Sequence, residues 1–186
     1  MDNHSCEQEH DFALILGGIG QITPELADAF FEAGCEDATL GMQHGVAHLE
    51  FSRSAPSMKV AILSAIHDVC KVGRGVTVRQ VDDSNLVTQA EIARRIKKSR
   101  QLVNQFILGT RGDGGFPFPL FVGHKPYWAW CEVSYWLYQN NIVRREVQDE
   151  AEVVFTINNA LDRIYQERKN GPLVKEITSA LSETCS

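Results

Sequence analysis

The 186-residue sequence contains no apolar run approaching the ~20 residues that a membrane-spanning helix needs, so a membrane partner is not expected. Its cysteines, Cys6, Cys35, Cys70, Cys131 and Cys185, are odd in number and include no CxxC pair. A secreted disulfide framework is thereby disfavoured, and a cytoplasmic location is expected. The opening MDNHSCEQEHD is acidic and polar. It lacks both the apolar centre of a secretory signal and the arginine-rich character of a transit peptide. No internal repeat and no low-complexity tract is present. With 44% hydrophobic and 23% charged residues the composition is that of a globular chain, which excludes a disordered or collagen-like protein. Positive charge is also short: 18 Lys and Arg against 24 Asp and Glu leave a net −6. Averaged over the chain, that count argues against a nucleic-acid partner.

Catalytic and metal-binding patterns are missing as well. Gly17, Gly18 and Gly20 follow an apolar stretch, but GxGxxG and the Lys-Ser/Thr pair of a phosphate loop are absent. His44 and His48 are separated by a glycine and an alternating pattern, not by a helical turn, so joint metal ligation is not expected. His4, Cys6 and His10 fall in a stretch read as tail. No Ser/His/Asp or Cys/His combination has supporting local context. The expectation is a protein with no catalytic residue, no metal and no cofactor, and not an enzyme.

What is present is an uneven distribution of charge. Residues 86–146 hold nine bases (Arg94, Arg95, Lys97, Lys98, Arg100, Arg111, Lys125, Arg144, Arg145) and four acids (Glu91, Asp113, Glu132, Glu146), a net +5. The remaining nine bases and twenty acids give −11. Residues 1–85, with five bases and thirteen acids, stand at −8. Five bases crowd into 94–100. Such asymmetry raises the expectation of an anionic partner for the central segment.

The pattern of apolar residues gives an α+β chain. Residues 1–11 read as a flexible tail. Residues 12–85 read as β-α-β-β-α-β, with strands at 12–16, 38–42, 46–51 and 75–81. Thr23 and Pro24 start the first helix and Gly34 stops it. The second helix begins at Ala55-Pro56, and Gly73 and Gly75 end it. That order fits a ferredoxin-like layer with helices on one sheet face. Residues 86–146 form the next domain. Residues 147–186 are closing helices. The first of them, 147–168, carries Val147, Ala151, Val154, Ile157, Leu161 and Ile164 at helical spacing. It is broken at Gly171-Pro172 and is the first candidate for a dimerisation element, with the β-α-β-β-α-β layer of 12–85 the second.

The central segment opens with a capping box, Thr88-Gln89-Ala90-Glu91. Ala90, Ile92, Ala93 and Ile96 form the inner face of this short helix. Lys97 and Lys98 lie in a turn, and Ser99 caps a second helix with Leu102, Val103, Phe106 and Ile107 inward. Two short helices across a three- or four-residue turn make a helix-turn-helix. Arg100, Gln101, Asn104 and Gln105 fall on the outer side. Arg can be bidentate to guanine, and Asn or Gln bidentate to adenine. Ser99 at the helix start suits a phosphate. Beyond it, residues 116–122 and 127–130 read as two arms of a hairpin around Gly123-His124-Lys125-Pro126, and 131–138 as a further helix.

Residues 86–103, LVTQAEIARRIKKSRQLV, resemble the excisionase and AlpA-type branch of the MerR-like winged helix-turn-helix proteins. The resemblance continues through Phe116-Pro117-Phe118-Pro119, Gly123-His124-Lys125, Trp128-Ala129-Trp130-Cys131-Glu132-Val133 and Trp136-Leu137, and covers roughly 86–137. Where that family carries glycine in the turn, this chain has Ile96-Lys97-Lys98. The resemblance implies that Ser99, Arg100, Gln101, Asn104 and Gln105 enter the major groove. It implies also that the hairpin around His124 and Lys125 is a wing near the backbone or minor groove. Thr88, Lys97, Lys98 and Arg111 complete the expected contact set. The expected function is sequence-specific binding of double-stranded DNA by a homodimeric transcriptional regulator, a repressor of a bacterial or phage operon. Two alternatives remain: a ligand-sensing regulator working through the N-terminal domain, and an antitoxin-like interaction module whose acidic N-terminal domain takes a protein partner.

Overall fold

In a computed structural model that describes residues 7–81, 85–121 and 125–184, alternating side chains build a four-stranded sheet. β1 (Gln8–Gly17) pairs with β3 (Val46–Ala55), which in turn pairs with β2 (Ala38–Gln43). β4 (Thr77–Val81) adds to the other side of β1, giving the order β2-β3-β1-β4 with every neighbouring pair antiparallel. α1 (Pro24–Glu32) joins β1 to β2, and α2 (Met58–Lys71) joins β3 to β4. The Thr23 and Ser57 hydroxyls cap these helices by accepting from the amides of Leu26 and Val60. One sheet face carries Leu14, Leu16, Leu49 and Phe51. With Phe30 of α1 and Ile62, Ala65 and Val69 of α2 it forms a buried core. The opposite face presents Glu9, Asp11, Glu50, Ser52 and Ser54 to solvent.

β1 begins at Gln8, inside the stretch expected to be a flexible tail. The reason is the register: His10 lies opposite Arg53 on the core face, both buried, and the His10 Nε2 donates to the Ala55 carbonyl at 3.3 Å. Polar residues at inward positions hid the alternation at that end of both strands. For the same reason β3 runs on to Ala55 rather than ending at Phe51. β4 starts two residues later than the pattern 75–81 indicated. Gly75 has φ +78°, and a Cβ on Gly18 (φ +84°) would fall 2.1 Å from the Gly75 carbonyl oxygen. Gly18 therefore serves a close backbone approach.

Arg53 is the polar centre of this region. Its Nε and Nη2 fork onto Asp37 at 2.7 and 2.9 Å, while Nη1 donates to Asp68 at 2.8 Å and to Ser64 at 3.1 Å. Nη2 also donates to the Gly34 carbonyl at 2.9 Å. The hydrogen bonds to Asp37 above all raise the guanidinium pKa, against burial, which lowers it. Burial by itself would raise the Asp68 carboxyl, but hydrogen bonds from Lys71 and Arg53 outweigh it and hold the group below its ordinary value. Burial pushes the Cys35 thiol up to about 11. At the sheet edge, Asn158 acts as a substitute strand: its Nδ2 donates to the Val81 carbonyl at 3.0 Å and its Oδ1 accepts from the Val81 amide at 2.7 Å. A buried strand edge left unpaired would be costly.

The chain divides into two units, one of Met1–Asp82 and Thr156–Ser186, the other Asp83–Phe155. In the second, β5 (Leu86–Val87) pairs antiparallel with β6 (Trp128–Ala129). Around them pack α3 (Gln89–Arg95), α4 (Arg100–Ile107) and α5 (Trp130–Gln139). Their core is Val87, Ile92, Val103, Phe106, Trp128, Val133, Trp136 and Leu137, joined by Ala151 of α6 (Arg145–Thr184). α6 gives 145–155 to this unit and 156–184 to the other. It is broken at Asn170 (φ −154°, ψ 62°), ahead of Gly171 and Pro172, because proline cannot supply the next helical amide.

The hairpin expected from 116–122 and 127–130 is much reduced. Among its described residues only Phe121 and Tyr127 form a bridge, with the Leu120 amide donating to the Tyr127 carbonyl at 2.8 Å. The second arm pairs instead with β5, and α5 starts at Trp130. Residues 116–119 are held by side chains: the Trp128 Nε1 donates to the Pro117 carbonyl at 3.1 Å, and Phe116 meets Trp136 edge-on.

Candidate nucleic-acid interface

Local caps fix the two short helices. The Thr88 hydroxyl accepts from the Glu91 amide at 3.3 Å, and the Glu91 carboxylate accepts from the Thr88 amide at 3.0 Å. At the far end of α3, Lys97 has φ +53°. Its amide donates to the Arg94 carbonyl at 3.1 Å and the Lys98 amide to the Ala93 carbonyl at 2.9 Å. This double closure, with a left-handed residue just past the helix, is the Schellman arrangement. α4 ends the same way with Gly109, so a lysine occupies the position glycine fills elsewhere in this unit. Ser99 then caps α4, its hydroxyl accepting from the Leu102 amide at 3.2 Å. The Gln89 Nε2 donates to the Arg100 carbonyl at 3.0 Å and ties the start of α3 to the start of α4.

With Val103 and Phe106 buried, α4 turns Arg100, Gln101 and Asn104 outward, exposed, and Gln105 half-buried. Lys97, Lys98 and Ser99 are exposed immediately before them. Among the described residues, no carboxylate pairs with Lys97, Lys98, Arg100, Arg111 or Lys125. Arg95 differs, lying over the Trp130 ring at 4.7 Å. Thr88, Arg100 and Lys125 share a cavity of about 370 Å³ with Gln89, Ala90 and Pro126. Thr88 reaches it with its hydroxyl already engaged in the capping box. Arg111 is not among the residues of that cavity. It sits exposed in a glycine-rich loop docked on α5, where the Trp136 Nε1 donates to the Gly114 carbonyl at 2.7 Å and the Asp113 amide to Asn140 Oδ1 at 3.1 Å. His124 lies outside the described residues.

The positive charge is more local than the segment count implied. Asp83–Phe155 includes Asp83, Asp149, Glu150 and Glu152 beyond the four acids of 86–146, so the unit has nine bases, eight acids and a net +1. Basic character is concentrated in the turn and the start of α4, whereas the added α6 acids belong to another element. Two residues were not picked out from sequence. Gln89 positions α4, and its place right after an N-cap was the available signal. Leu108, exposed at 65%, extends the outward row of α4 by one turn. No protein-family profile, curated protein or solved structure matches the chain.

Proposed function

We propose that the chain binds double-stranded DNA sequence-specifically, with α3, the 96–99 turn and α4 acting as a helix-turn-helix of MerR-like, AlpA type. The observation that carries this reading is the outward face of α4, where Arg100, Gln101, Asn104 and Gln105 follow a serine cap and two lysines that have no carboxylate partner among the described residues. Donors and acceptors of these types suit base edges, and the preceding cations suit phosphates. The segment around Lys125 takes the place of a wing, and the β2-β3-β1-β4 order supports a ferredoxin-like reading of the first unit. On this reading the protein is a regulator without catalytic activity, a repressor of a bacterial or phage operon, cytoplasmic and acting as a homodimer, since one helix-turn-helix reads only a short half-site.

The test is a nuclease footprint over the DNA upstream of its own gene, followed by affinity measurements. The R100A/Q105A variant should lose about tenfold to a hundredfold per bidentate contact, while melting like the parent protein. Unchanged affinity removes α4 as the reading helix. A second reading, in which the protein binds a basic protein, is favoured by the acidic open sheet face of Glu9, Asp11 and Glu50. A co-purifying basic protein, lost on reversing those charges, would support it.

A further inference from the structure

The first unit is acidic, with sixteen Asp and Glu against nine Lys and Arg. Yet a cavity of this unit, about 490 Å³ between α2, β4 and α6, is rimmed by Arg79, Arg168 and Lys169 and, among the described residues, by no acid. The floor is apolar, formed by residues such as Ile66, Val78, Leu161 and Ile164. Tyr165 meets two of these cations: the Arg79 guanidinium lies over its ring at 3.2 Å and the Lys169 ammonium at 5.9 Å. Elsewhere in this unit Arg53, Lys71 and Arg163 pair with carboxylates, while Lys59, Arg74 and Lys175 do not among the described residues and lie outside the cavity. Arg79, Arg168 and Lys169 have no carboxylate partner among the described residues. Two cations against one ring, with a third on the same cavity rim, repel each other unless an anion joins them.

We propose that this cavity binds a small amphipathic carboxylate, its apolar body on the Ile66–Leu161 floor and its carboxylate between Arg168 and Lys169. The volume falls within the range of small-molecule sites, and an apolar lining with a few convergent charges is their usual chemistry. Arginine and lysine together offer a carboxylate charge-assisted hydrogen bonds. A neutral molecule of the same shape leaves the cations uncompensated. The inference stands apart from the DNA reading, and its test involves no DNA.

The full-length protein is titrated calorimetrically with phenylacetate, octanoate and the neutral phenylacetamide. In parallel, alkylation of Cys70, an exposed thiol in the cavity wall, is followed by peptide mass spectrometry. One or both carboxylates should bind saturably at one site per chain and slow Cys70 alkylation, while the amide does neither. The better ligand distinguishes an aromatic from a straight-chain body. Exchanging both exposed cations, R168Q/K169Q, should weaken binding about tenfold or more, and unchanged melting would show that the variant is folded. Failure of both carboxylates to bind the parent protein overturns the proposal. So does equal binding of the amide, or a folded double variant that binds carboxylates as tightly as the parent.

Discussion

Arg53 of the first unit and Arg100 of the second are used in opposite ways. Arg53 is 8% exposed and spends its whole donor fork on Asp37, Asp68, Ser64 and the Gly34 carbonyl. Arg100 is exposed, and among the described residues only its backbone is engaged, by Gln89. A buried guanidinium must be paired and saturated, because desolvation otherwise outweighs what packing returns. An exposed one needs no partner to be stable, so its lack of one has no structural cost and leaves its donors open to a ligand. Charge counts cannot separate these cases. The burial and the hydrogen-bond partner of each cation can.

The contrast breaks first at Arg53. R53M should lower stability by about 3–5 kcal/mol, because it strands two carboxylates against the α2 side of the sheet. Urea denaturation measures this. A variant with the parent midpoint would mean that the network carries no stability. Acid probes the same cluster. The folded Asp68 pKa is depressed, so its contribution is fully present above the unfolded value of about 3.9 and fades as pH falls through the lower folded value. D68N should therefore be less stable than the parent near neutrality, with the gap closing toward strongly acidic pH. A gap that stays constant from pH 7 down to pH 2 would remove Asp68 as a titrating contributor.

Thr88 sharpens the comparison from the other unit, since it was expected at the DNA and its hydroxyl is in the capping box. T88A should cost about 1 kcal/mol of stability, and T88S should restore it. DNA affinity should follow stability and nothing else. Loss of affinity in T88A at a temperature where it is fully folded would assign the hydroxyl to the ligand instead.

These residues also mark how far the sequence was legible. Caps are local: Thr23-Pro24, Thr88 with Glu91, and Ser99 each declare a helix start within four residues, and all three helices are found there. The outward set on α4 followed from helical period alone. Partners distant in sequence were hidden. Nothing near Trp128 announces that it will pair with Val87 rather than with the 116–119 segment. The inward His10 and Arg53 broke the alternation that would have extended β1 and β3. The Gln89 link to Arg100 spans two elements whose mutual angle no local pattern sets. The acids of α6 escaped the charge count because unit boundaries do not follow segment boundaries.

The smallest effect is the most discriminating. Lys97 holds φ +53°, a left-handed backbone that costs a residue with a side chain about 1 kcal/mol. Glycine takes that conformation freely, at the cost of a looser unfolded chain. K97G should accordingly stabilise the protein by roughly 0.5 kcal/mol net. It should simultaneously weaken DNA binding and reduce the salt dependence by about 0.9 in slope, as expected for one lost phosphate contact. A lysine kept where glycine folds better is then explained by what it touches. Were K97G both more stable and equally tight on DNA at every salt concentration, the turn would be a structural feature only, and the basic run from Lys97 would lose its place in the interface.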